Sequence, residues 1–570
     1  MGVIDGGALF AKALRNEGVE KAFVLCGGHV MPIFYGMRDA GIEIIDLRHE
    51  CAAVYAAIGY AQASGKPGVV VTTAGPGVGN TPAGMMEAES LGVPLLQIGG
   101  AVAVSQTDAG DLQDMSTLKL MASCSRWARK ITSAARIPEY VSMAFRHAMD
   151  ASPGPVYLEI PTDLLFHKMD EEEVHFPVDY RTDAIPCGDP VLVDVAAELL
   201  ASAERPAVMV DDGARFEIGD HAGAVAELSE YLMMPVGVSR MCRGMFGDES
   251  KNPHLRMSSG MARADVMLGL GCRFDFRLAQ GRMVPKDAKV IQVHHDAKQI
   301  GFNLRADVGI IGGAGPVASQ ILEAVKSKRP RQEDGQWLEA ARQMSEVGSK
   351  SFTDGFTAEG TPIHPGRCAA EVAKFLEAEG RDWTLVSDGG EALVWMAGGV
   401  TAYLRGAATA HRPGQILGTG ANGTIGTGPG LAIGAWAANR KPVLWYTGDG
   451  SFGYYAMELD TMAKLGIPVV CVISNDSAWG MIKLLEKYIR AQDVKEKGHC
   501  NVELHQMRAY QKMVEMWGGH GECVTDPAEI VPAIRRAVEN GKPSIVNVEV
   551  DQVSLSPFIE GFAKALQPAE

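Results

Sequence analysis

The sequence predicts an α/β protein made of three consecutive domains, each built on a mostly parallel sheet. Short apolar runs alternate with helix-length amphipathic stretches along the chain, and glycines cluster where those runs end. Two polar stretches divide this pattern into parts of similar size. At 570 residues the chain is also too long for one hydrophobic core.

The first part carries strand-like runs at Lys21–Leu25, Ile42–Asp46, Gly68–Thr72 and Val93–Ile98, with a helical segment from Ala52 to Ser64 between them. It closes on Val156–Pro161, and an acidic, proline-bearing linker is expected over about residues 168 to 190. The second part holds Pro206–Val210, Val266–Gly271 and Val290–Val293, followed by a polar, Lys/Arg-rich linker over about residues 326 to 345. The third runs from Thr384–Asp388 through Val443–Thr447 and Val469–Ile473 to Ser544–Val548. The domains expected are therefore 1–180, 188–330 and 355–555, with a C-terminal tail at 556–570.

Composition narrows the partners. Hydrophobic residues make up 46% and charged residues 21%, a globular balance rather than a disordered one. A net charge of −16 argues against a nucleic-acid partner and against a basic membrane-binding face, leaving small-molecule substrates. The start, Met1-Gly2-Val3-Ile4-Asp5, lacks the basic and apolar leader of a secretory signal, and no run of about 18 apolar residues suits a membrane. Ten scattered cysteines without a CxxC pair suggest reduced thiols and a cytoplasmic protein.

Four motifs carry chemistry. Gly448-Asp449-Gly450-Ser451 ends one apolar run, and Asn475-Asp476 ends the next. Glycines let a backbone approach a diphosphate, and oxygens from two strand ends can share one Mg²⁺. Taken alone, Gly-Asp-Gly is also an ordinary surface turn; the paired placement is what gives it weight. Arg48-His49-Glu50 follows another run and, in isolation, reads equally as a helix N-terminus. Val71-Thr72-Thr73-Ala74-Gly75-Pro76-Gly77-Val78-Gly79-Asn80 is a glycine-rich turn without the lysine of a nucleotide-binding P-loop. Gly423-Thr424-Ile425-Gly426-Thr427-Gly428 precedes a helix.

Taken together, these motifs resemble the thiamine diphosphate enzymes of the pyruvate oxidase and acetolactate synthase type, whose signature is Gly-Asp-Gly followed at this interval by Asn-Asn. The resemblance spans essentially the whole chain and implies the order pyrimidine-binding, central and diphosphate-binding domain. It implies thiamine diphosphate and Mg²⁺ as cofactors. Asp449, Asp476 and a backbone carbonyl near Ala478 would ligate the metal, within a loop formed by Gly448, Gly450, Ser451 and Asn475. Asp476 stands where the family more often has Asn. Glu50 would hydrogen-bond the aminopyrimidine so that its imino form removes the thiazolium C2 proton. Gly423 and Ile425 sit where the family bends its cofactor over a bulky apolar side chain.

Within the family the likeness points to benzaldehyde lyase and the 2-hydroxyacyl-CoA lyases. His29, in Leu25-Cys26-Gly27-Gly28-His29, and Gln113, after Leu112, stand where that branch carries active-site residues. The implied enzyme is a carbon–carbon lyase or carboligase acting on 2-hydroxyketones or 2-hydroxyacyl-CoA thioesters, releasing or joining aldehydes through an enamine. Glu50, His29 and Gln113 would be its catalytic residues, and Gly28, Thr73, Leu112, Trp479, Met481 and Leu485 would line the pocket. Gly480-Met481-Ile482 and Arg273-Phe274-Asp275 keep an acetolactate synthase-like enzyme of 2-ketoacids as the alternative, although that branch's tryptophan falls here on Leu485. A non-catalytic cofactor-binding homologue is the other alternative. The stretch Gly271–Arg277 could hold FAD or ADP, though neither is expected, or form an interface turn. In the tail, Phe558 and Phe562 either cap the site or dock the tail. A homodimer is the implied minimum, since the family places its cofactor between two subunits, and a homotetramer is the family's usual state.

Overall fold

A computed structural model describes residues 2–182, 184–217, 221–239, 241–246, 258–379, 383–403 and 414–565. Met1–Ala184 together with Pro429–Arg440 form one compact unit, and Ile185–Gly428 together with Lys441–Glu570 form a second.

In the first unit the five apolar runs become strands β2 (Lys21–Val24), β3 (Glu43–Asp46), β4 (Gly68–Thr72), β5 (Leu95–Ala101) and β7 (Pro155–Pro161), joined by β1 (Val3–Asp5), β6 (Trp127–Lys130) and β8 (Lys168–Asp170). Six of them form a sheet in the order β3-β2-β4-β5-β7-β6, parallel throughout. β4, β5 and β7 are buried along their whole length, as expected for strands covered on both faces by helices. The helix Glu50–Ser64 is buried on almost every side, so its sequence is small and apolar all round rather than amphipathic. Residues 429–440, expected in the third domain, pack in this unit. The close approach explains the glycines there. A Cβ on Gly434 would lie 2.6 Å from the Tyr60 nitrogen, and one on Gly59 would lie 2.5 Å from the Leu431 carbonyl oxygen.

The second unit holds two sheets. β9 (Pro206–Val210), β10 (Val236–Val238), β11 (Val266–Leu270), β12 (Lys289–His294) and β13 (Val308–Ile311) run parallel in the order β10-β9-β11-β12-β13. β14 (Thr384–Ser387), β15 (Ile416–Leu417), β16 (Val443–Gly448), β17 (Val469–Asn475), β18 (Gly521–Val524) and β19 (Ser544–Glu549) run parallel in the order β15-β14-β16-β17-β19-β18. Numbered within each sheet, this is the strand order of the six-stranded sheet in the first unit. The architecture is thus α/β with three mostly parallel sheets. The antiparallel pair β1–β8 is the exception among the described strands.

The expected linker around 326–345 needs correction, whereas the boundary between the two units falls within the one expected around 168–190. The stretch around 326–345 lies mostly in two helices, Ala314–Lys328 and Gln336–Phe356. Its polar composition concealed an inward face: Trp337 donates its indole N–H to the Pro206 carbonyl at 2.8 Å, and Ala341 one turn later is fully buried. The stretch around 168–190 begins with strand β8, which is too short for its alternation to show in sequence.

The tail docks on the second unit. Ser556 donates to Glu391 from its backbone nitrogen at 2.7 Å and from its hydroxyl at 2.6 Å. In the helix Pro557–Ala565, Ile559 and Ala563 are buried and Phe558 meets Phe276 edge-on at 6.4 Å. The Phe562 side chain lies outside the described residues. Among the described residues, no helix is long and apolar enough to cross a membrane.

Candidate active site

Parallel α/β sheets bind ligands beyond the carboxyl ends of their strands, because helix N-termini and short turns converge there. In the first unit the residues following β2, β3, β4 and β5 include four of those singled out above. Glu50 is the first residue of its helix. His49 caps that helix, with Nδ1 accepting from the Cys51 nitrogen at 3.1 Å. The Glu50 side chain is buried, and Asn80, at the end of the glycine-rich turn, donates its amide to Oε2 at 2.9 Å. Gly75 has φ +57, and a Cβ there would lie 2.9 Å from Gln113 Cβ, so the turn's glycine admits the Gln113 segment. Thr73 donates to Gln113 Oε1 at 3.3 Å and lies 3.5 Å from His29 Nδ1. Gly28 opens the short 3₁₀ turn Gly28–Val30 beside His29. Leu112, expected to line a pocket, is 72% exposed and packs on little within its unit.

In the second unit, Gly448 ends β16 and Asp449–Phe452 form a single helical turn in which Asp449 and Ser451 are buried. Asp476 follows β17, and its Oδ1 accepts from the Ala478 nitrogen at 3.1 Å. Burial, reinforced for Asp449 by the charge of Asp476, raises both carboxyls above their ordinary range, and the two share a hydrogen bond. Two half-desolvated carboxylates facing each other need a proton or a cation between them. That donor set, with the Ala478 carbonyl, fits a hard divalent cation. No larger cluster of acidic, His or Cys ligands occurs among the described residues.

Asn475 is committed elsewhere. Its Oδ1 accepts from the Ser477 nitrogen at 3.0 Å and its amide donates to Asn547 Oδ1 at 3.0 Å, which holds Ser477 at φ +56. Its part is to shape the turn that presents Asp476. The Gln552 amide also donates to the Asp476 carbonyl, and Lys483 donates to Gln552 Oε1 at 2.6 Å.

The loop bearing Gly423 and Ile425 is held by Asp388, at the end of β14. Its carboxylate accepts from the nitrogens of Gly389 at 2.7 Å, Gly426 at 3.1 Å and Gly428 at 3.0 Å. Burial pushes Asp388 up to about 6 against the pull of those donors. Ile425 is half-buried and Gly423, at φ +65, is exposed. Trp479 stands over Gly450, where an added Cβ would lie 2.8 Å from the indole, and Tyr454 meets it edge-on at 6.5 Å. Met481 lies against Gly390, and Leu485, one turn further along the helix Gly480–Ile489, is half-buried. Asn80, Asp388, Asn547 and Gln552 were not singled out in the sequence. Asn80 and Asp388 each end a glycine-rich or strand-end turn, the one signal that marked them.

The stretch Gly271–Arg277 meets buried acids. Arg277 is ion-paired with Asp212 and, at 2.8 Å, with Asp275, and Asp212 also accepts from Ser239 Oγ at 2.6 Å. Asp211 and Asp212 are both buried just after β9, and Arg277 balances the charge of Asp212. Phe276 receives Phe558 of the tail.

Three family models match the chain. "Thiamine pyrophosphate enzyme, N-terminal TPP binding domain" covers residues 4–121, the "central domain" model covers 193–321, and the "C-terminal TPP binding domain" model covers 397–548. The "Probable acetolactate synthase" of Mycobacterium bovis is 31% identical over 551 residues, which is 96% of each chain. The "Probable acetolactate synthase large subunit" of Methanocaldococcus jannaschii is 28% identical over 98% of this chain and 93% of its own. The "2-hydroxyacyl-CoA lyase 2" of Danio rerio is 28% identical over 98% of this chain and 93% of its own.

Proposed function

The chain belongs to the thiamine pyrophosphate enzymes, and on that premise we propose that it is a carbon–carbon lyase and carboligase of 2-hydroxyketones or 2-hydroxyacyl-CoA thioesters, releasing or joining aldehydes. The observation that carries the reading is the meeting of His29, Thr73 and Gln113 at the carboxyl edge of the sheet that also presents Glu50. Such a substrate has a hydroxyl whose proton must leave as its carbon–carbon bond breaks, and an imidazole beside a carboxamide suits that task.

When bound, thiamine diphosphate supplies a nucleophilic thiazolium carbon and a sink for the electron pair of the broken bond. The chain supplies the rest. Asp449, Asp476 and the Ala478 carbonyl would hold Mg²⁺, and the turn Gly448–Ser451 would hold the diphosphate. Glu50, oriented by Asn80, holds the proton exchanged with the aminopyrimidine. Ile425 and Gly423 support the cofactor's bend. His29 would take the proton of the substrate hydroxyl and Gln113 would orient that hydroxyl, beside Gly28, Thr73 and Leu112; Trp479, Met481 and Leu485 are the pocket residues proposed in the second unit. Residues 1–180, 188–330 and 355–555 act as the pyrimidine-binding, central and diphosphate-binding domains. A homodimer as the minimum active assembly, a homotetramer as the full one, and a cytoplasmic location belong to the same reading.

A second reading has its own support. The Mycobacterium bovis relative, described as a probable acetolactate synthase, aligns over 96% of this chain. Turnover with thiamine diphosphate and Mg²⁺ on benzoin, a 2-hydroxyacyl-CoA and pyruvate separates the two. Cleavage of either of the first two supports the lyase and identifies the branch. Acetolactate from pyruvate overturns it in favour of the synthase, and turnover of none of the three supports a non-catalytic homologue.

A further inference from the structure

We propose that Thr73 sets the tautomer of His29, leaving its Nε2 as the bare nitrogen that accepts the substrate's proton. This rests on the reading of His29 given above, and it assigns to Thr73 a positioning role separate from lining the pocket.

The hydrogen-bond inventory decides the tautomer. Thr73 Oγ1 lies 3.3 Å from Gln113 Oε1, to which it donates, and 3.5 Å from His29 Nδ1. A hydroxyl has one proton, and a carboxamide oxygen only accepts. With that proton committed to Gln113, the hydroxyl can only accept from His29. Nδ1 must therefore carry the hydrogen, and a neutral imidazole has no second one to place on Nε2.

Packing keeps the hydroxyl in this orientation. A Cβ on Gly27 would lie 2.6 Å from Thr73 Oγ1, and one on Gly77 would lie 2.7 Å from Thr73 Cγ2. The threonine is wedged between two backbone segments that come this close because neither bears a side chain. Its β-branch further restricts rotation about χ1. Gln113 is brought in at φ +67, a conformation costly for a residue with a Cβ and tolerated where surroundings impose it. On the other side, a Cβ on Gly100 would lie 2.9 Å from His29 Cβ, so the histidine backs directly onto the end of β5. In the proton step the substrate O–H bond breaks, an Nε2–H bond forms and the electron pair stays on the substrate oxygen. Thr73 Oγ1 goes on accepting from Nδ1–H in the resulting imidazolium.

The test uses the full chain labelled with ¹⁵N-histidine, observed at about pH 8.5, two units above the usual histidine value. The expected spectrum shows His29 protonated on Nδ1 in the wild type and in Thr73→Ser, and a loss of that preference in Thr73→Val. In turnover of whichever hydroxyketone or thioester the enzyme cleaves, Thr73→Val should lower kcat by about tenfold or more, Thr73→Ser should restore most of it, and the dissociation constant of thiamine diphosphate should stay within about twofold. Added to His29→Ala, Thr73→Val should cost nothing further. An Nε2-protonated His29 in the wild type, equal losses from Ser and Val, or full additivity with His29→Ala would each overturn the proposal. Normal turnover by His29→Ala alone would instead remove His29 from the reaction, while the spectrum would still decide what Thr73 does to its tautomer.

Discussion

Glu391 offers a prediction whose size follows from its surroundings. It begins the helix Glu391–Tyr403, and its two carboxyl oxygens take the backbone and hydroxyl donors of Ser556, where the tail enters its terminal helix. Burial pushes its carboxyl from an ordinary 4.5 up to about 7, although the Ser556 donors pull it down. A folded value above the unfolded one means that this group's contribution to stability is fully present below pH 4.5 and is lost as pH rises toward 7, because the unfolded chain releases a proton that the folded one retains. At about 1.4 kcal/mol for each pH unit between the two values, the loss is at most about 3.5 kcal/mol, or roughly a few hundredfold in the unfolding equilibrium. Hydrogen exchange of the slowest core amides of the cofactor-free protein, corrected for intrinsic rates, should therefore speed up by one to two orders of magnitude, on the order of that estimate, between pH 5 and pH 8. Glu391→Gln mimics the protonated acid, with an oxygen to accept from the Ser556 nitrogen and an amide to donate to its hydroxyl, so its exchange should change less with pH. Equal pH dependence in both proteins, or none in the wild type, would refute the reasoning.

Glu50→Gln keeps the shape and removes the acid, so thiamine diphosphate affinity should stay near the wild-type value while turnover falls by about 10² to 10⁴; near-normal turnover would remove Glu50 from the proton relay. Asp449→Asn should raise the thermal midpoint of the cofactor-free protein at pH 8, where the buried pair is costly, and abolish Mg²⁺-dependent cofactor binding; a titration showing wild-type binding would exclude Asp449 as a ligand. Gly434→Ala places a methyl between two helix backbones of the first unit, with an expected cost of about 1–3 kcal/mol in urea unfolding. An unchanged midpoint there would mean that the helices separate without cost.

The sheets were legible because parallel strands buried on both faces leave apolar runs, and β4, β16 and β17 are such runs. Glu50 and the Gly448–Ser451 turn were visible for the same reason: each follows directly on a run. Strands β10 and β15 were not, since three and two residues carry no period. The contact of Thr73 with Gln113 joins residues 40 apart and depends on a positive φ that no local pattern announces. Asn80 and Asp388 are polar residues in turns, where local capping is the ordinary use. Only the folded backbone shows that one grips Glu50 and the other ties three glycine nitrogens. The reading of Asn475 as a cofactor contact faced the same difficulty, since its amide is taken up by Ser477 and Asn547 from 72 residues away.

The two six-stranded sheets share one strand order, yet their carboxyl edges differ in charge. After β16 and β17 stand two carboxyls raised by burial, so that on the proposed reading a cation would stabilise that edge and give it affinity for a phosphate. After β2, β3, β4 and β5 stand one carboxylate held by an amide and a chain of imidazole, hydroxyl and carboxamide, groups suited to passing protons rather than to holding ions. A shared topology cannot be the source of that difference, because it delivers the same turns to both edges. On the reading proposed above, the side chains placed on those turns would divide the work, with one edge binding the cofactor's charge and the other managing the protons of the reaction.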